Sequence, residues 1–369
     1  MTAFGRRGWC PDAWRPMMAG DGLIVRVKPR FARLTRPQVE ALADLAGRFG
    51  SGALDLTNRA NLQIRGVREG GWRELLAALV DNGLVDEDPE AEGRRNVLVA
   101  PGWKPGDETA RIGEALLARL SELPRLPGKM GLAVDTGASA VLTACPADFR
   151  IERAEGGGLL IRLDGRESGV AVHAEEAADR VLDLARWFIE SGGIAAGRAS
   201  RHLAPLPAWA TGKSRPVRTS LRCDPGYGVP FGRIAATSLV ELMDVTGAAA
   251  LRITPWRRIH PESSVASPVA GFLLGTDDPL LRTDACPGAP DCPSSSVQTR
   301  ELAARLAPRI AGRLHVSGCA KGCARSRPSD VTLTGRDGAF DLAFGARAGD
   351  PPAHRGLSAE QLIAHFGAS

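Results

Sequence analysis

Residues 22–28, Gly-Leu-Ile-Val-Arg-Val-Lys, form a short apolar run that predicts a strand. The period then lengthens. Val39, Leu42, Leu45, Ala46 and Phe49 fall at helical spacing behind a capping box of Thr35 and Gln38. A second apolar run, residues 53–57, predicts another strand and leads into Asn58-Arg59-Ala60-Asn61-Leu62-Gln63-Ile64-Arg65-Gly66. The same succession returns in the second half. Gly228-Val-Pro-Phe-Gly-Arg233 precedes a helix carrying Leu239, Leu242 and Met243, and residues 250–254 lead into Pro255-Trp256-Arg257-Arg258-Ile259.

Each of these blocks is followed by a longer one. Arg94-Arg95-Asn96-Val97 and the pair Pro101-Gly102 precede a helix with Ile112, Leu116 and Leu120, then Leu126-Pro-Gly-Lys129-Met-Gly131. In the second half Thr283-Asp-Ala-Cys286-Pro287-Gly288 precedes a helix around residues 301–306, then His315-Val-Ser-Gly-Cys319-Ala-Lys321-Gly-Cys323. Matching elements in matching order argue for an internal duplication. Residues 156–191 add a strand pair, 159–163 and 170–172, and a helix ending near Glu190. Residues 192–222, rich in Gly, Pro and basic residues, show little periodicity and read as a linker. The expected units are 1–88 and 89–191 for the first repeat, a linker at 192–222, and 223–275 and 276–369 for the second. The fold class is α+β.

Composition narrows the function without naming it. The 369 residues are 44% hydrophobic and 24% charged, an ordinary globular balance. A formal net charge of +5 argues against a dedicated nucleic-acid binder and leaves room for a local basic pocket. No apolar run is long enough for a bilayer span, so no membrane partner is expected. Residues 1–11 lack an apolar signal core, and the expected location is the cytoplasm.

Four of the seven cysteines crowd into residues 286–323. In a reducing compartment such a quartet favours metal over disulfides. Five residues separate Cys286 from Cys292, and three separate Cys319 from Cys323. Zinc ribbons prefer about two residues within a pair, whereas thiolates around an iron–sulfur cluster enclose a larger object. Pro287, Pro290 and Pro293 exclude a helix from the first loop, and Ser295 with Gln298 predicts a helix start just after it. Gly318 and Gly322 allow close backbone approach, and Lys321, Arg325 and Arg327 place positive charge nearby. Structural zinc and four unrelated buried cysteines are the alternatives. Cys10, Cys145 and Cys223 read as structural.

The paired cysteine spacings resemble the cluster motif of the sulfite and nitrite reductases. The duplication and the segment Thr57-Asn-Arg59 with Gln63 are similar to that family too. The resemblance covers nearly the whole chain. It implies ferredoxin-like half-domains at 1–88 and 223–275 and α/β units at 89–191 and 276–369. It also implies one [4Fe-4S] cluster on Cys286, Cys292, Cys319 and Cys323, with Cys323 at the position that bridges to a sirohaem in the reductases. Gly20-Asp-Gly-Leu-Ile-Val-Arg-Val27, Thr57-Asn-Arg-Ala-Asn-Leu-Gln-Ile-Arg-Gly66, Leu126-Pro-Gly-Lys-Met-Gly131 and Ser317-Gly-Cys-Ala-Lys-Gly-Cys323 resemble the precorrin-3B synthase branch. Two positions depart from the reductase pattern: Gly131 replaces a second basic residue, and Lys321 stands where reductases have Asn.

In that branch the tetrapyrrole is a substrate. The resemblance therefore implies precorrin-3A and dioxygen as reactants, an electron donor that the sequence does not identify, and hydroxylation with lactone closure to precorrin-3B. It also suggests a mononuclear non-haem iron. Sirohaem belongs only to the alternative, a sulfite or nitrite reductase; a cluster-carrying electron carrier is a third reading. A polycarboxylate substrate calls for fixed cations, and guanidinium grips a carboxylate through two parallel hydrogen bonds. The candidates are Arg59, Arg65, Arg95 and Lys129 in the matched segments, Arg257 and Arg258 at the repeat-equivalent place, and Lys321. His173-Ala-Glu175 has the spacing of half a facial triad but reads as a cap or surface turn. His315 is left without a role.

Overall fold

The computed structural model describes residues 11–219 and 226–367, so Cys10 and Cys223 lie outside the described residues. The first half contains β1 (Met17–Ala19), β2 (Gly22–Val27), β3 (Arg33–Thr35), α1 (Arg36–Phe49), β4 (Ala53–Leu56), β5 (Leu62–Val67), α2 (Trp72–Asp81) and α3 (Pro89–Arg94). It continues with β6 (Val97–Val99), α4 (Glu108–Ala118), β7 (Leu132–Asp135), β8 (Phe149–Arg153), β9 (Leu159–Leu163), β10 (Val170–Val172), α5 (Ala177–Glu190) and α6 (Gly193–Ala196). The second half begins with β11 (Tyr227–Gly228), β12 (Arg233–Ala235), α7 (Ala236–Thr246), β13 (Ala250–Ile253) and β14 (Arg258–Pro261). Then come β15 (Thr283–Ala285), α8 (Arg300–Leu306), β16 (Leu314–Ser317), β17 (Ser329–Arg336), β18 (Ala339–Ala346), β19 (His354–Leu357) and α9 (Ala359–Gly367).

The two α/β sheets match strand for strand. One has the order β10-β9-β8-β7-β6, the other β15-β16-β17-β18-β19. In each, the first three strands in chain order are parallel and the last two antiparallel. A parallel pair needs a crossover connection, supplied by α4 between β6 and β7 and by α8 between β15 and β16. The helices α5 and α9 close the two series.

The ferredoxin-like halves exchange strands, which the sequence pattern did not foretell. One sheet runs β1-β2-β5-β4-β12 and the other β11-β14-β13-β3. Each half thus lends a strand to its counterpart: Arg233 stands opposite Asp55, and Arg33 opposite Arg252. A residue at positive φ precedes each lent strand, Phe31 at 54° and Phe231 at 55°. That conformation is uncommon for a bulky side chain, and its occurrence at equivalent positions marks the same turn away from the parent sheet. One continuous core results, with Leu34, Val39, Leu42, Leu54, Leu239, Leu242 and Leu251 fully buried. Each such leucine contributes about 1.5–3 kcal/mol of burial.

Two local expectations change. The helix expected after Ser295 begins at Arg300, with Thr299 as its N-cap. The Ser295 hydroxyl instead donates to Val297 O at 2.9 Å, and the Thr299 hydroxyl donates to Cys286 O at 2.5 Å, so residues 295–299 stay in the loop. Residues 192–219 are not a free tether. Bridges from Ser214 to Gly169 and from Pro216 to Ala154 lay them on the first α/β unit. Among the described residues no helix is long and apolar enough to cross a membrane.

Candidate functional site

The cysteine pairs sit at the carboxyl ends of parallel strands, where open α/β sheets place their ligands. Cys286 directly follows β15, and Cys319 lies two residues beyond β16. The first-half equivalent of Cys286, one residue past β6, is Ala100, so this thiol belongs to one repeat alone. Cys286 is buried, Cys292 and Cys319 are half-buried, and Cys323 is the most exposed; all four are free thiols. The other three are within electrostatic reach of Cys323. The Cys323 thiol is pushed up first by partial burial and then by the negative charges of Cys319, Cys286 and Cys292.

The backbone around them is shaped to come close. Gly318 N–H donates to the Cys286 sulfur at 3.1 Å. A Cβ at Gly318 would stand 2.2 Å from Ser295 Oγ, so only glycine lets the second loop lie against the first. Lys321 Nζ donates to Ser294 Oγ at 3.0 Å and links the two cysteine loops. Four thiols, a backbone donor to sulfur and a nearby ammonium make a donor set that fits a [4Fe-4S] cluster. Cys286, Cys292, Cys319 and Cys323 would hold it, and it would store and pass electrons one at a time. Among the described residues no three His, Cys, Asp or Glu side chains are gathered into a metal-holding group, the four cysteines included, so it is the donor chemistry and loop placement of the thiols that suit a cluster. His173 is the N-cap residue of the short turn Ala174–Glu176 and makes no side-chain capping bond there.

Of the expected carboxylate grips, Arg59 reaches the backbone of the Lys129 turn. The turn between β4 and β5 presents Arg59, whose guanidinium donates to Lys129 O. A second guanidinium reaches the same carbonyl. Arg198, in the stretch read as a linker, donates to Lys129 O at 3.4 Å and to Asp148 at 2.9 Å. Asp148 is fully buried and also accepts from Ala199 N and Gly131 N, so one carboxylate fixes both Arg198 and the Pro-Gly-Lys turn. Arg95 lies on the neighbouring segment, since Asn96 O accepts Leu132 N at 2.8 Å. Its guanidinium donates to the fully buried Glu92 at 2.6 Å. Burial raises the Glu92 carboxyl and lowers the Lys28 ammonium beside it, while each opposes the shift of the other.

Arg65, Arg257 and Arg258 are engaged elsewhere. Arg65 forks onto Asp21 at 2.8 and 2.6 Å and faces Asp55 at 3.6 Å. Arg257 donates to Thr283 O and Leu281 O, and Arg258 to Gly226 O and Gly275 O. The hairpin geometry explains this. Thr57 and Thr254 accept the same pair of backbone N–H groups, so Arg257, at φ 60°, occupies the place of Ala60 at φ 53°. Its side chain turns back onto β15 and the turn before it. The position equivalent to Arg59 holds Trp256.

The family described as the nitrite/sulfite reductase ferredoxin-like half domain matches residues 15–82, which run from β1 through α2. A precorrin-3B synthase of Sinorhizobium sp. is 31% identical over 95% of this chain and 85% of its own length. The chain belongs to the precorrin-3B synthase family. That family lies within the sulfite/nitrite reductase-like superfamily. A ferredoxin–nitrite reductase of Synechococcus elongatus is 26% identical over 93% of the chain and 83% of its own length. The NirA protein of Mycobacterium tuberculosis superposes with a TM-score of 0.61 at 19% identity, covering 93% of this chain and 79% of the other, and shares the fold. The duplicated α+β architecture expected from the sulfite/nitrite reductase resemblance is thereby met.

Proposed function

We propose that the chain hydroxylates precorrin-3A with dioxygen and closes a lactone from an acetate side chain, giving precorrin-3B. The observation that carries this reading is the meeting of the Arg59 and Arg198 guanidinium groups at the backbone carbonyl of Lys129 in a chain of this family. Such a group of cations suits a substrate bearing several carboxylates. Asp148 holds Arg198 through its Nε at 2.9 Å, which sets the plane of the guanidinium before a ligand arrives. Arg59 and Arg198 both spend a donor on one carbonyl, and a carboxylate is the stronger acceptor for either.

A [4Fe-4S] cluster on Cys286, Cys292, Cys319 and Cys323 would supply electrons singly. In the overall reaction one oxygen atom enters the substrate and the other leaves as water, which takes two electrons and two protons from an external donor. The match to a nitrite reductase favours a second reading, sirohaem-dependent reduction of nitrite or sulfite. Gly131 speaks against it, because it offers no second cation beside Lys129. Turnover of precorrin-3A under labelled dioxygen with a chemical reductant separates the two. Label in the product supports the hydroxylase. Unlabelled product together with nitrite or sulfite consumed at enzymatic rates establishes the reductase.

A further inference from the structure

A second group of charges lies where the first cysteine loop crosses the β1–β5 sheet, and the carboxylate grips above do not use it. Asp291 immediately precedes Cys292. Its carboxylate pairs at 3.3 Å with Arg233, on the strand lent to that sheet. At the other edge, the β1–β2 turn meets the same loop. A Cβ at Gly20 would stand 2.1 Å from Pro293 Cδ and 2.9 Å from Asp291 O. The loop around Cys292 is therefore seated on Gly20 and tied to Arg233, both outside its own α/β unit.

The duplication explains why Arg233 reaches out. Its repeat equivalent, Arg33, pairs inside its own sheet with Glu262, which also takes Arg252. In the first-half sheet those places are reversed in charge: Glu262 corresponds to Arg65, and Arg252 to Asp55. Arg65 there is already forked onto Asp21. Arg233 thus stands opposite Asp55, which Arg65 and Arg300 share, and its guanidinium pairs with Asp291. Arg300 enters from α8 and feels Asp55, Arg233, Arg65 and Asp291 as neighbouring charges, with its Nε buried and unbonded.

We propose that Asp291, clamped by Arg233 and seated on Gly20, is the positioning residue that holds the Cys292 thiolate in place for the cluster. This rests on the cluster reading above. Residues that orient a metal ligand typically change metal retention by roughly 10–100-fold when lost. Arg233→Ala and Asp291→Asn remove the clamp, and Gly20→Ala pushes the loop away without touching a charge.

Two readouts test the proposal. In the cluster-free chain, the rate of alkylation of each cysteine is followed by mass spectrometry. All three variants are expected to label Cys292 severalfold faster while Cys319 keeps its wild-type rate, and Arg233→Lys is expected to fall between. In the reconstituted protein, iron loss to a chelator should quicken by roughly 10–100-fold, with the EPR signal of a three-iron cluster as the fourth iron leaves. Wild-type Cys292 labelling and wild-type iron retention in all three variants would overturn the proposal. A wild-type chain that assembles no cluster would instead overturn the cluster reading, and the alkylation rates would still decide whether the clamp holds the loop.

Discussion

Arg65 was expected from the sequence to face the substrate, and the structure gives it a different task that can be measured. Its side chain is 9% exposed, it makes two hydrogen bonds to Asp21, and it stands 3.6 Å from Asp55. Arg65→Ala leaves two mostly buried carboxylates without their nearest cation. Burial already pushes the Asp55 carboxyl up, with Arg65 the first of the charges that oppose this shift. Breaking a buried ion pair by removing one partner costs about 3–5 kcal/mol. For a folding unit of ordinary domain size that lowers the melting temperature by roughly 10 °C. The assay is thermal unfolding of the variant beside wild type, with precorrin-3A titration well below both midpoints. The expected result is a large loss of stability with unchanged affinity. An undiminished midpoint with weakened binding would show that Arg65 faces the substrate and that its pairing with Asp21 matters little.

Three further outcomes follow from the same geometry. Arg59→Ala and Arg198→Ala should each weaken precorrin-3A binding by about tenfold or more, since a charge-assisted bond contributes roughly 1.5–3 kcal/mol; Arg→Lys should restore only part, because ammonium lacks the two-pronged contact. Hydrogen bonding from Arg33, supported by Arg252, lowers the Glu262 carboxyl to about 2. A folded-state value below the unfolded one contributes stability above the unfolded value that is lost as pH falls toward the folded one, so Glu262→Gln should flatten the acid limb of a stability–pH curve, and an unchanged limb would refute this. Burial pushes the Cys145 thiol up to about 12, so iodoacetamide at mildly alkaline pH should modify Cys292 and Cys323 of the cluster-free chain well before Cys145.

How much was legible in the sequence depended on whether the signal was local. The duplication could be read because each repeat carries its own periodicity and its own Pro-Gly punctuation. The two cysteine loops could be read because Pro and Gly punctuate them, and they fall at the ends of β15 and β16. The strand exchange could not. Arg33–Thr35 looks the same whether it pairs within its own half or with β13, and only packing of the two halves decides. Arg65, Arg257 and Arg258 shared a residue type and a motif with Arg59, but their partners are set by distant carbonyls and carboxylates. Arg198 was missed because it sits in an aperiodic stretch, and what marks it is the fully buried Asp148 fifty residues earlier. Ser295 carried a helix-start pattern that the Thr299 bond to Cys286 O overrode.

One [4Fe-4S] cluster in this chain, with the tetrapyrrole as substrate, is the expectation on which the proposed function stands. Purification without air, followed by iron, acid-labile sulfide and tetrapyrrole analysis, tests it most directly. The expected result is about four iron and four sulfide per chain, lost together in Cys286→Ser, Cys292→Ser, Cys319→Ser or Cys323→Ser, with no tightly held tetrapyrrole. One sirohaem per chain, or a full cluster surviving any of those four substitutions, would contradict it.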